Sequence, residues 1–125
     1  MNASSQFQLL VRRLIAGAVL VASPLAAGSV SAATFTWGGS NANWNANGSW
    51  LNNAQPQNGD SVLFTNLGTG TSSTVNLSRT LNNITFGATA NRTYTLANSG
   101  TFRTTLGSLV NNSTFLQVVN NNLVL

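Results

Sequence analysis

The sequence predicts an all-β protein: the start of a right-handed parallel β-solenoid that follows a helical signal peptide. Three observations predict it: an export-type amino terminus, short runs of alternating apolar residues, and turns rich in asparagine. A small β-sandwich is the alternative, because strands this short also form antiparallel hairpins. We expect a signal peptide over residues 1–33, a Trp-rich cap or first coil over 34–70, and solenoid coils over 71–125 that stop within a strand, as in a fragment.

The first 33 residues have the pattern of a secretory signal. Arg12 and Arg13 precede an apolar run over residues 14–27, and small residues make cleavage after Ala32 or Ala33 suitable. The run is shorter than the roughly 20 residues of a spanning helix, so contact with the membrane is expected only during export. The arginine pair also occurs in twin-arginine signals, which leaves the export route open.

Beyond residue 33 the chain has almost no side chains for chemistry. It contains no His, Cys, Lys or Glu, and Asp60 is its one side-chain carboxylate. Glycosidases need two carboxylates, and serine hydrolases need a general base such as His. Zinc sites need His or Cys ligands, and calcium sites need several oxygen ligands. We therefore expect no enzyme activity, no cofactor and no metal, with Asp60 as a turn residue after Gly59.

Charge is sparse and dispersed in the same segment. The charged side chains after residue 33 are three positive ones, Arg79, Arg92 and Arg103, and one negative one, Asp60. The arginines form no basic run. This pattern gives no support to nucleic-acid binding. Without histidine, stability is expected to change little between about pH 5 and 9.

The strand prediction rests on apolar residues two positions apart, which lie on the same face of a strand. The pairs are Val62/Phe64, Val75/Leu77, Ile84/Phe86, Tyr94/Leu96, Leu116/Val118 and Leu123/Leu125. Successive pairs lie about nine or ten residues apart between residues 75 and 94, with asparagine-rich turns that favour stacked coils. The last pair is expected to form an unpaired edge that promotes self-association.

Residues 34–64 carry a distinctive order of motifs. A strand with Trp37 is followed by Asn43-Trp44, Ser49-Trp50, Pro56, Gly59-Asp60 and Val62-x-Phe64. This block resembles the start of bacterial autotransporter-associated β-strand repeat proteins, and residues 74–77, 84–86 and 94–96 resemble the first coils of that family. The resemblance implies a β-helical passenger segment, displayed at or released from a Gram-negative outer membrane or cell surface. It also implies partners outside this chain, namely further repeats or a transporter domain.

The three tryptophans allow two interpretations. Trp37, Trp44 and Trp50 suit a sugar-binding platform, which would make the chain a small secreted carbohydrate-binding module with a surface glycan as partner. They also suit a cover over the open first coil of a solenoid. We favour the cover, and therefore predict a non-catalytic structural segment of an exported, adhesin-like protein.

Overall fold

A computed structural model describes residues 31–125, so nearly all of the predicted signal peptide lies outside the described residues. The described chain forms a parallel β-solenoid of about four turns without α-helices. One 3-10 turn at Asn47–Ser49 lies in the first coil. The strands are β1 (Thr34–Thr36), β2 (Ser61–Phe64), β3 (Ser72–Val75), β4 (Arg79–Phe86), β5 (Thr95–Asn98), β6 (Thr104–Asn111), β7 (Val118–Asn120) and β8 (Leu123–Val124).

The strands form two parallel sheets, with the orders β1-β2-β4-β6-β8 and β3-β5-β7. Ser61 pairs with Asn83, and Asn83 pairs with Ser108, so one coil takes 22 residues and the next takes 25. The predicted solenoid is confirmed, and the β-sandwich alternative is wrong, because a sandwich pairs its strands antiparallel. The shorter spacing seen in the sequence, as from Val75 to Ile84, is the passage from one sheet to the other.

The core consists of inward side chains that stack from coil to coil. Phe64 pairs with Phe86, and their rings stack with centroids 4.9 Å apart. Tyr94 directly precedes β5 of the opposite sheet, and its ring centroid lies 5.1 Å from that of Phe64. Parallel strands in register place equivalent residues of neighbouring coils directly above one another. The two phenylalanine rings stack for this reason. The buried apolar residues are Trp37, Trp44, Trp50, Val62, Phe64, Val75, Leu81, Ile84, Phe86, Ala90, Tyr94, Leu96 and Leu106.

Two of the predicted inward pairs are wrong in part. Leu116 is 79% exposed and lies before β7, whereas Val119 pairs with Leu96 and packs on the core. Leu123 packs on the core, but Leu125 is 83% exposed. The neighbouring coil sets the register, and a shift of one residue exchanges the two faces of a strand.

The backbones of two adjacent coils contact each other at Gly39 and Gly70, beside the core, and we call this contact the glycine crossing. Gly39 has a φ of +75°, and a Cβ atom placed there would overlap the backbone of Gly70. A Cβ atom on Gly70 would in turn overlap the carbonyl oxygen of Gly39. The indole Nε1 of Trp37 donates to the Gly70 carbonyl oxygen at 3.0 Å, so this crossing also holds a core side chain.

We predict that Gly70→Ala lowers the free energy of unfolding by about 2 kcal/mol, because overpacking a tight contact costs about that much. Gly48→Ala is the matched control, since the nearest atom to its added Cβ is Ser40 Oγ at 3.6 Å. Urea denaturation followed by tryptophan fluorescence measures both. Equal midpoints for the two variants would contradict the steric role of the crossing.

Tyr94 gives the core its one titratable side chain in the described residues. The ring is fully buried, and its hydroxyl donates to the Thr65 carbonyl oxygen. Burial raises the pKa of Tyr94 above its ordinary value, and the positive charge of Arg92 opposes this with a smaller effect. The folded protein therefore holds the phenol proton more tightly than the unfolded chain does.

Stability is expected to stay level up to about pH 9 and to fall above about pH 10, where the unfolded chain loses the proton first. Tyr94 is the chain's single tyrosine, so Tyr94→Phe removes the titrating phenol. We expect the variant to be less stable at pH 7 by about 1 kcal/mol, through the lost hydrogen bond, but to have a flatter alkaline profile. Denaturation midpoints from pH 7 to 11 check this, and parallel profiles would refute it.

Candidate functional site

The structure brings the three predicted tryptophans together in the first coil. Trp50 packs edge-to-face between Trp37 and Trp44, with ring centroids 5.2 and 5.4 Å apart. Interplanar angles of 82° and 79° match the favoured geometry of aromatic pairs. None of the three side chains is more than 2% exposed. They form a closed cluster, which we call the tryptophan cap.

Each indole N–H of the tryptophan cap has an acceptor inside the protein. Trp44 Nε1 donates to Ser73 Oγ at 2.6 Å, and Trp50 Nε1 donates to the Trp44 carbonyl oxygen at 3.0 Å. With the Trp37–Gly70 bond, two of the three indoles reach the second coil. Hydrogen bonds of this kind remove the cost of burying an indole N–H, so the cap joins the first coil to the second.

The fold of the cap depends on a tight turn around Ser49. Its backbone carbonyl accepts from the amides of Gly38 and Gly39 at 2.8 and 3.0 Å. Its buried hydroxyl lies within hydrogen-bond distance of the carbonyl oxygens of Asn41 and Asn43. These contacts fold the loop back on itself and place Trp50 opposite Trp37, where the two residues form an antiparallel bridge.

The same loop covers the outer edge of β1. The amide of Leu51 donates to the Thr36 carbonyl oxygen at 2.9 Å. The side chain of Asn52 faces the amide of Thr36 and the carbonyl oxygen of Thr34 at longer distances of 3.4 and 3.5 Å. The first strand therefore presents a covered edge, a common way in which proteins prevent further strand pairing.

The buried indoles determine what this cluster can do. Stacking on a sugar needs an exposed aromatic face. Trp37, Trp44 and Trp50 present no such face in the described structure. The role that we favoured from the sequence, cover over the first coil, stays a prediction.

Asp60 closes the turn before β2, as its place after Gly59 predicts. Its Oδ1 accepts from the amide of Ala33 at 3.0 Å, and its Oδ2 accepts from the amide of Gln57 at 2.7 Å. The side chain is buried, with both carboxylate oxygens engaged by the backbone. The carboxylate thus satisfies two amides at the start of the second coil.

Residues 31–125 were also compared with the requirements of a metal site and of a membrane-spanning helix. No group of three or more His, Cys, Asp or Glu side chains in this range is placed to hold a metal ion. None of the helical segments described there has the length and apolar character to cross a membrane.

At the opposite end of the solenoid the last strands are open. β8 pairs only with Thr104 and Thr105 of β6. The remainder of β6, to Asn111, has no strand on its outer side within the described residues. Apolar side chains there are partly exposed, including Leu109 and Val110 at 36% and 37%. We call this region the open edge.

A second feature, which the sequence analysis missed, is an open cleft of about 350 Å³ at one corner of the coils. Its lining consists of Asn58, Ser78, Arg79, Thr80, Arg103 and Thr105. The two arginines are 24 positions apart in sequence, which is close to one coil. Residues about one coil apart in sequence lie on neighbouring coils. The pattern of residues within a single strand does not reveal the coil length.

Comparison of the chain with protein-family models, curated proteins and solved structures finds no match. The class that the fold defines is therefore a parallel β-solenoid of about four turns.

Proposed function

We propose that this chain is a non-catalytic structural segment of an exported, adhesin-like β-helical surface protein of the passenger type. The observation that carries the proposal is the parallel ladder of stacked coils, whose first coil contains the tryptophan cap. Solenoids of this kind suit a scaffold role, because each coil contacts only its neighbours and the coils together form an extended surface.

The covered end supports the role of a first coil. Trp44 and Trp50 are buried there, although no strand precedes β1 in the described residues. Terminal repeats of solenoids differ from internal ones because they must shield the core from water. The position of the aromatic cluster, on the first coil, agrees with this rule.

The open edge supports the proposed partners, which are further β-solenoid repeats, with a transporter domain or other anchor to hold them at the surface. An unpaired strand exposes a row of amide and carbonyl groups that another strand can pair with. In the open edge that row borders Leu109 and Val110, whose apolar surface a further coil would bury.

The motif order in residues 34–64 supports the exported passenger context, with a Gram-negative outer membrane, cell surface or extracellular location. The carbohydrate-binding alternative has less support, because Trp37, Trp44 and Trp50 are all buried. No observation at these three positions favours glycan recognition over the structural role.

We predict that the isolated 34–125 segment self-associates through the open edge. Val110→Lys should raise the protein concentration needed for association by about tenfold, because facing lysines repel each other and resist desolvation. Thr85→Lys is the matched control. Thr85 pairs with Val110 but lies on β4, which has a strand on each side. Light scattering against concentration measures the effect. A monomeric parent segment, or equal weakening by both variants, would contradict the proposal.

Export is tested separately by expressing the chain with a carboxy-terminal tag in a Gram-negative host. We expect removal of residues 1–32 or 1–33, so that the recovered protein begins at Ala33 or Thr34. Mass spectrometry of the periplasmic and outer fractions measures this. Replacing Arg12 and Arg13 by glutamate provides the control and should retain the uncleaved chain in the cell. Cytoplasmic retention of the uncleaved parent chain would refute the exported role.

A further inference from the structure

We propose that the cleft between Arg79 and Arg103 is an oxyanion-binding site, for a ligand group such as sulfate, phosphate or carboxylate. This inference is independent of the proposed structural function. It rests on the position of the two arginines, on their hydrogen bonds, and on the charges around them.

The parallel ladder places the two arginines on adjacent coils at the same corner. The amide of Arg79 donates to the carbonyl oxygen of Arg103 at 3.1 Å. The amide of Arg103 lies 3.2 Å from Ser78 Oγ, its hydrogen-bond acceptor. These backbone contacts hold the two residues next to each other, and both residues line the cleft.

The two arginine side chains differ in burial and in hydrogen bonding. Arg79 is half-buried, and its Nε donates to the Pro56 carbonyl oxygen at 3.1 Å while Nη2 donates to Gln55 Oε1 at 3.2 Å. A guanidinium has five N–H groups, so Arg79 keeps donors for a ligand while being held in place. Arg103 is exposed, and its side chain makes no hydrogen bond within residues 31–125. One arginine is oriented in advance and the other is free to close on a ligand.

No carboxylate balances this pair. Asp60 is the only side-chain carboxylate of the chain, and backbone amides engage both of its oxygens. Both side chains carry a positive charge, which attracts an oxyanion to the cleft that the two residues line. The planar guanidinium also matches an oxyanion with two parallel hydrogen bonds, which gives geometry as well as charge.

Neutral polar groups continue the cleft along the solenoid axis. Thr80 pairs with Thr105 on the next coil, and both are exposed. Asn58 lies on the other side, where its Oδ1 accepts from the Thr80 amide at 2.9 Å. Hydroxyls and an amide in a row suit a hydroxyl-rich ligand next to the anion. The oxyanion therefore has two possible sources, a free inorganic anion or an acidic group on a polysaccharide.

The test is isothermal titration calorimetry of the exported, processed chain with sodium sulfate and with heparin oligosaccharides, at constant ionic strength. Arg103→Gln is the test variant, because this side chain has no hydrogen bond to lose. Arg92→Gln is the matched control. It removes the same charge, but the Arg92 side chain bonds to Asn91 and Thr69 outside the cleft. Circular dichroism verifies that both variants keep the parent fold.

We expect Arg103→Gln to weaken sulfate binding by roughly tenfold and Arg92→Gln to change it by less than about threefold, since a charge-assisted hydrogen bond is worth about one decade in affinity. Tighter binding of heparin with the same dependence on Arg103 identifies a polysaccharide source, and sulfate binding without that gain identifies a free anion. Equal losses in the two variants, or no binding of either ligand by the parent chain, would overturn the site.

Discussion

The parallel backbone ladder between successive coils is the interaction on which the rest of this structure depends. Ser61, Asn83 and Ser108 occupy one position in three consecutive coils, and the strand residues beside them repeat in the same way. That repetition stacks Phe64 on Phe86 and creates a core from short strands. A chain without cysteine and with few charges has no disulfide or ion-pair network to replace it. Stability is therefore distributed over neighbouring coils.

A ladder of this kind leaves unpaired backbone groups at both of its ends, and the two ends of the described chain treat them differently. At the first coil the loop after Trp50 folds back on β1, and the Leu51 amide occupies the Thr36 carbonyl. The tryptophans beneath it exclude water from the same end. At the other end β8 covers only the start of β6. The aromatic content near the amino terminus agrees with this geometry, because the core beneath the first coil would otherwise be open to water.

The sequence predicts this fold well where the signal is local. The alternation at Val62/Phe64 and Ile84/Phe86 reports inward faces, and both pairs are buried. Leu116 was misplaced because its facing depends on register with β5, which alternation within its own strand does not contain. The arginine cleft was missed for a related reason. The placement of Arg79 and Arg103 at one cleft can be predicted only when the coil length is known, and that length is set by pairing across coils.

The inward row of the second sheet shows how the core changes along the axis. Val75 is buried in the second coil, and its partner in the third is Asn98. One coil later Asn120 pairs with Ala97, and Asn121 follows it in the chain. Asn98 Nδ2 donates to the carbonyl oxygens of Gly100 and Phe102, both at 2.9 Å, which holds the next turn. The Oδ1 atoms of Asn98 and Asn121 are buried and have no hydrogen-bond partner within the described residues. Apolar and aromatic stacking thus stabilises the first coils most strongly, and the last ones contribute less.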